Sequence, residues 1–167
     1  MSVDWAAVYR TTYEDLVRFL HRKVWDPDRA HDLAQETFMR ALDHEPDNPR
    51  AWVFTVAANL ARDEARAAIR RRQHLTLIKV DAEQRSVPDP AQEAEQRERS
   101  DAVRRALEAL SDRDRDVLLL WDAGLSYEEI AAETGLAAGA IGTTLSRARR
   151  RLVEAYEALE GRDVARG

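Results

Sequence analysis

Cysteine is missing from this 167-residue chain, which excludes disulfides and thiolate zinc sites as sources of stability. Glycine and proline are scarce, at 6 and 5 residues, and aromatics make up only 7%. Strand-like alternation and internal repeats are also wanting, so the punctuation that hairpins and tight β turns need is not there. With alanine, arginine, aspartate, glutamate and leucine dominant, an all-α fold is expected. Apolar runs such as 117–121 are far shorter than the ~20 residues that span a bilayer. No basic stretch followed by an apolar one opens the sequence, so neither a secretory signal nor membrane insertion is expected, and the protein is read as soluble and cytoplasmic.

What is abundant is charge, at 34% of residues, with a net −5. A negative total argues weakly against nucleic acid, but local charge decides more, because salt screens interactions beyond about 8 Å. Residues 62–72 hold five arginines against Asp63 and Glu64, and residues 136–155 hold four against Glu154. Two basic islands in an acidic chain suit selective contacts better than indiscriminate DNA coating.

The second island belongs to a motif. In LSYEEIAAETGLAAGAIGTTLSRARRRL, residues 125–152, Ser126 and Glu129 have capping-box spacing and Gly135 is placed to end a short helix. A second helix from about Ala138 carries Ile141, Leu145, Ala148, Leu152 and Ala155 at steps of three and four. Thr143, Thr144, Ser146, Arg147, Arg149, Arg150 and Arg151 are expected opposite that stripe, where hydroxyls and guanidiniums can meet phosphates and base edges. The same pattern also fits a plain antiparallel helix pair whose arginines favour a helix C-terminus.

Upstream, three further helices are expected. The first runs from Asp4 to about Val24. The second starts at Asp26-Pro27-Asp28 and buries Ala30, Leu33, Ala34, Phe38, Ala41 and Leu42. A polar loop, 43–48, leads into the third, with Trp52, Val53, Val56, Ala57, Leu60 and Ala61 inward. Residues 79–100, with two prolines and six acids, read as a flexible acidic linker in which helix resumes somewhere after Pro90. Two small helical domains are therefore expected, 1–78 and 101–162, the second a helix-turn-helix.

Three segments in this order resemble the extracytoplasmic-function (ECF) sigma factors of bacterial RNA polymerase: DLAQETFMRA at 32–41, AWVFTVAANLARD at 51–63, and the stretch from Leu110-Ser111 through LSYEEIA. The resemblance implies a promoter-specificity subunit with no catalytic residue, no cofactor and no metal. Its partners would be core RNA polymerase, promoter DNA and, as is usual in such families, an anti-sigma factor. It implies polymerase docking by Asp32, Gln35, Glu36 and Met39, which helical spacing puts on one side. It implies −10 contacts from Trp52, Thr55, Asn59, Arg62 and Arg66, and −35 contacts from Thr143, Thr144, Ser146, Arg147, Arg149 and Arg150. Trp52 fits stacking on an unpaired base and core packing equally well.

The reading helix departs from the family pattern. Ala137 stands where a polar cap is usual, which costs about 0.5–2 kcal/mol of helix start. Gly142 and Thr144 replace a Lys and an Arg, and a helix-interior glycine costs about 1 kcal/mol. A sigma-like or plain helix-turn-helix regulator with weakened −35 recognition is the alternative. An enzyme would have to start from His31-Asp32 with His21 and His44, but adjacent helical residues diverge by about 100° and no second His-Asp pair follows.

Overall fold

The computed structural model describes residues 2–75 and 90–166, and among these it contains seven α-helices and no strand. Helix α1 (Trp5–Val24) is capped by the Asp4 carboxylate on Ala7 N, 3.0 Å away. It ends at Trp25, whose φ of 57° is left-handed and turns the chain abruptly. Asp26 then caps α2 (Pro27–Ala41) by accepting from the N–H groups of Asp28 and Arg29, with Pro27 at the first position. Proline fits there because its φ is already helical and its missing N–H would be unpaired anyway. Asn48 caps α3 (Pro49–Leu75) through Ala51 N.

These three helices bury an aromatic-rich core. Phe54 is fully buried, edge-on to Phe19 at 5.4 Å between centroids, with Leu16, Leu20, Leu33, Val53 and Ala57 around them. Phe38 takes the edge of Tyr9, which is stacked on Tyr13. Leu42 departs from the expected inward set: it is 66% exposed, because it lies beyond the last turn of α2, and Ala41 closes the core instead.

The described chain resumes as helix at Pro90, in the stretch where helix was expected to return. Helix α4 spans Pro90–Glu108, so residues 90–100 of the expected linker are helical, and the rest of it, 79–89, lies outside the described residues. Proline at the start of α4 is again the favoured first position. Helices α5 (Asp112–Asp122), α6 (Tyr127–Thr134) and α7 (Ala138–Arg166) follow. The capping box of Ser126 and Glu129 is formed on both sides, and Gly135 closes α6 at φ 75°. Leu107, Leu110, Val117, Leu120, Leu125, Ile130, Ile141 and Leu145 are buried between α4–α6 and α7.

One charge sits inside this aliphatic core. Asp114, only 1% exposed, receives Arg147 and Arg151 of α7, each at 3.0 Å. The Arg147 hydrogen bond, helped by the charge of both guanidiniums, holds its carboxyl below the usual carboxylate range. A buried carboxylate is tolerable only when so paired. Among the described residues no helix is long and apolar enough to cross a membrane.

Candidate polymerase and nucleic-acid interfaces

Helix α2 turns one side to solvent. Asp32, Gln35 and Met39 are exposed there, with Met39 at 70%, and Glu36 is half-buried, bonded to Arg40 at 2.9 Å. Leu42 extends the side by one apolar residue. Behind it, Thr37 is buried and returns its hydroxyl to Leu33 O at 2.8 Å, which satisfies its polar group without help from outside. The result is an acidic and amide surface tipped by two exposed apolar side chains, suited to a partner helix with basic and apolar groups.

Helix α3 divides its expected −10 residues. Asn59, Arg62 and Arg66 are exposed, with Arg62 donating to the Asn59 amide oxygen at 3.2 Å. Trp52 is half-buried instead, between Trp5 at 5.9 Å and His44 at 4.9 Å. Trp5 in turn donates to His44 O, and Val3 N–H to the Glu45 carboxylate, so the chain start straps down the loop ahead of α3. Of the two uses open to Trp52, packing is the one it serves in this arrangement. Thr55 lies half-buried against the second domain.

Helix α7 corrects part of the expected reading face. Thr144 is 6% exposed; position 144 falls one turn before Ala148 and packs inward beside Leu145, so it cannot meet DNA in this conformation. Arg147 and Arg151 are held by Asp114. Thr143, Ser146, Arg149 and Arg150 are exposed. Without a polar cap at Ala137, the first turn closes through Ala140 N–H to Ala137 O. Tyr127 lies beside Gly142, its ring at an ordinary contact distance of 3.5 Å from where a Cβ would stand. Tyr127 continues into Trp121 at 5.5 Å, and Arg149 lies over the Trp121 ring. Residues 121, 127 and 142 stand on three different helices, so helical periodicity gave no sign of this aromatic flank.

The domains also meet. Arg50 donates to Ala123 O at 2.7 Å and approaches Asp15 at 3.4 Å. Arg18 reaches Asp122, Asn48 reaches Glu129 at 3.1 Å, Lys23 pairs with Asp116, and the Thr55 hydroxyl donates to Glu133. A cavity of about 160 Å³ remains in this seam, lined by Lys23, Arg62, Arg113, Asp116 and Glu133 among others. Burial there pushes the Glu133 carboxyl up. None of these contacts followed from helical periodicity, which is blind to pairings across domains.

His31 faces the Tyr13 hydroxyl and His44 the Arg40 carbonyl, and among the described residues no group of three or more His, Asp or Glu is placed to hold a metal ion.

A helix with an exposed acidic and amide side, a basic long helix and a capped helix-turn-helix define a two-domain helical protein of the promoter-recognition class. Residues 8–73 match the family model of sigma-70 region 2, and residues 100–152 that of sigma-70 region 4. The chain is 31% identical to the RNA polymerase sigma factor YlaC of Bacillus subtilis, covering 87% of each. It is 33% identical to the ECF sigma factor SigL of Mycobacterium tuberculosis, covering 88% of each. A solved structure of the sigma factor RpoE with the anti-sigma factor NepR from Bartonella quintana matches 92% of this chain and 97% of its own, at 27% identity and a TM-score of 0.64. The chain belongs to the ECF sigma factors of RNA polymerase, which direct the core enzyme to particular promoters.

Proposed function

We propose that this sigma factor docks on core polymerase through Asp32, Gln35, Glu36 and Met39 of α2. Helix α3 then serves strand opening at the −10 element with Asn59, Arg62 and Arg66, and Thr55 joins them once the second domain has moved away. Helix α7 meets the −35 element with Thr143, Ser146, Arg149 and Arg150. The protein contributes binding and no catalytic step of its own, and it works in the cytoplasm beside polymerase. An anti-sigma factor is a further partner; the RpoE relative was solved with one.

The observation that carries this reading is the exposed acidic, amide and apolar side of α2, since a plain DNA-binding regulator has no use for it. Purification with core polymerase and transcription from the promoter upstream of its own coding region test it. Co-purification and specific transcripts are the expected result, and a chain that does not associate with core enzyme removes the docking role. Asn59→Ala should lower promoter opening by about tenfold, the worth of one to two hydrogen bonds, and leave core binding unchanged. Equal loss of both activities would contradict the role given to Asn59. The second reading, weak −35 recognition, rests on Gly142, buried Thr144 and the commitment of Arg147 to Asp114. A promoter whose −35 element is scrambled distinguishes the two by losing or keeping its transcript.

A further inference from the structure

The arginines of α7 are held in different ways. Arg147 and Arg151 give N–H groups to Asp114. Arg149 and Arg150 are exposed and make no ion pair among the described residues. Of these two, Arg149 alone rests on another side chain: its guanidinium lies 5.5 Å from the centroid of the Trp121 ring. Trp121 is 38% exposed near the end of α5, and the carboxylate of the next residue, Asp122, is turned to Arg18 at 3.3 Å. The Trp121 ring is backed by Tyr127 at 5.5 Å, and Tyr127 lies against Gly142 of α7.

A carboxylate and a ring restrain a guanidinium differently. A carboxylate takes its N–H groups and offsets its charge. An aromatic ring attracts the cation through the ring face, within about 6 Å, and leaves the fork of N–H donors free. The side chain is then confined before a ligand arrives, which removes part of the ordering cost that a flexible arginine bears on binding. Gly142, Ser146 and Arg149 follow at steps of four and three, so they share one side of α7. The aromatic pair flanks that side, Tyr127 at Gly142 and Trp121 at Arg149. Base edges are met by the first residues of a reading helix. Arg149 stands about three turns beyond the start of α7, where the phosphate chain is the nearer target.

We propose that Trp121, with Tyr127 behind it, is a positioning residue for −35 binding, holding Arg149 as a preset donor to a DNA phosphate. This rests on the −35 reading of α7. It also accounts for how a reading helix with no cation before Arg147 gains a hold on DNA. Arg147 is committed to Asp114, so the free positive charge of this side lies in Arg149 and Arg150. A fixed Arg149 supplies part of what the glycine at 142 does not.

The test uses the full chain assembled with core polymerase and a duplex of the promoter upstream of its own coding region, with affinity measured across a salt series. Arg149→Ala should weaken binding about tenfold and reduce the salt slope by about one. Trp121→Ala should weaken it about two- to fivefold with the slope unchanged, because the charge remains. Trp121→Phe should recover most of that loss, since a ring is what the guanidinium needs. The effects should not add: Trp121→Ala should cost nothing further in an Arg149→Ala background, and its full cost in an Arg150→Ala background. A Trp121→Ala loss that persists without Arg149 would mark a packing role and overturn the proposal, as would parent affinity in Trp121→Ala. Parent affinity in Arg149→Ala would remove the phosphate contact as well. Equal affinity of the parent for a duplex with a scrambled −35 element would instead remove the −35 reading, and with it the place where Arg149 would act.

Discussion

The two domains present their reading helices in opposite conditions. In the first, α3 is long and basic toward its end, with Asn59, Arg62 and Arg66 exposed, yet Thr55 nearer its start is held by Glu133 of the neighbouring domain. In the second, α7 is open, but one of its expected contacts is buried and two of its arginines, though still reached by water, are paired with Asp114. Their cores differ in kind as well. The first is held by aromatic packing around Phe54 and the second by aliphatic packing around one buried carboxylate. Arginines of the first domain pair with carboxylates at its surface, as Arg29 and Arg71 do with Glu64, whereas Arg147 and Arg151 converge on one buried acid.

That contrast can be broken most strongly at Phe54. Phe54→Ala should destabilise the first domain by about 3–5 kcal/mol, read by urea unfolding, with little dependence on pH. Asp114→Asn should cost less, about 1–3 kcal/mol, because Arg147 and Arg151 keep access to water while losing their partner. Its pH signature is distinct. The folded carboxyl lies below its ordinary 3.8, so its contribution is present above that value and is lost as pH falls through the depressed one. The variant should therefore lack an acid-labile component that the parent shows, and identical acid unfolding of the two would contradict the pairing. The smallest effect should come from Gly142→Ala, which relieves the ~1 kcal/mol helix cost of glycine and meets Tyr127 at ordinary contact distance. A gain of up to about 1 kcal/mol in thermal unfolding is expected, whereas destabilisation would mean that Tyr127 sits closer to α7 than described.

Much of this architecture was legible in the chain. Asp4, Asp26, Asn48, Ser111 and Ser126 all cap helices, because small polar residues before a periodic run can satisfy the free N–H groups that follow. The exposed side of α2 with Asp32, Gln35 and Met39 followed from three-four spacing. Phe54 was absent from the expected core because α3 is wrapped on more than one side, so its inward surface is wider than a single stripe. Thr144 was misplaced for the same reason: a polar residue at the edge of a stripe is drawn in when α7 packs against three other helices. The Asp114 pairs and the seam join residues 33 to 104 positions apart, beyond the reach of any local pattern.

Asn48 has a consequence for how the two domains breathe. Its carbonyl oxygen caps α3 through Ala51 N, and its amide donates to Glu129, which itself completes the cap of α6. A single side chain therefore touches the first turns of two helices belonging to different domains. Fraying at one start loosens a restraint on the other, so the amides of Ala51 and Glu129 should show correlated protection from hydrogen exchange. Asn48→Asp would keep the cap but set two carboxylates face to face, and should speed exchange at Glu129 while sparing Ala51.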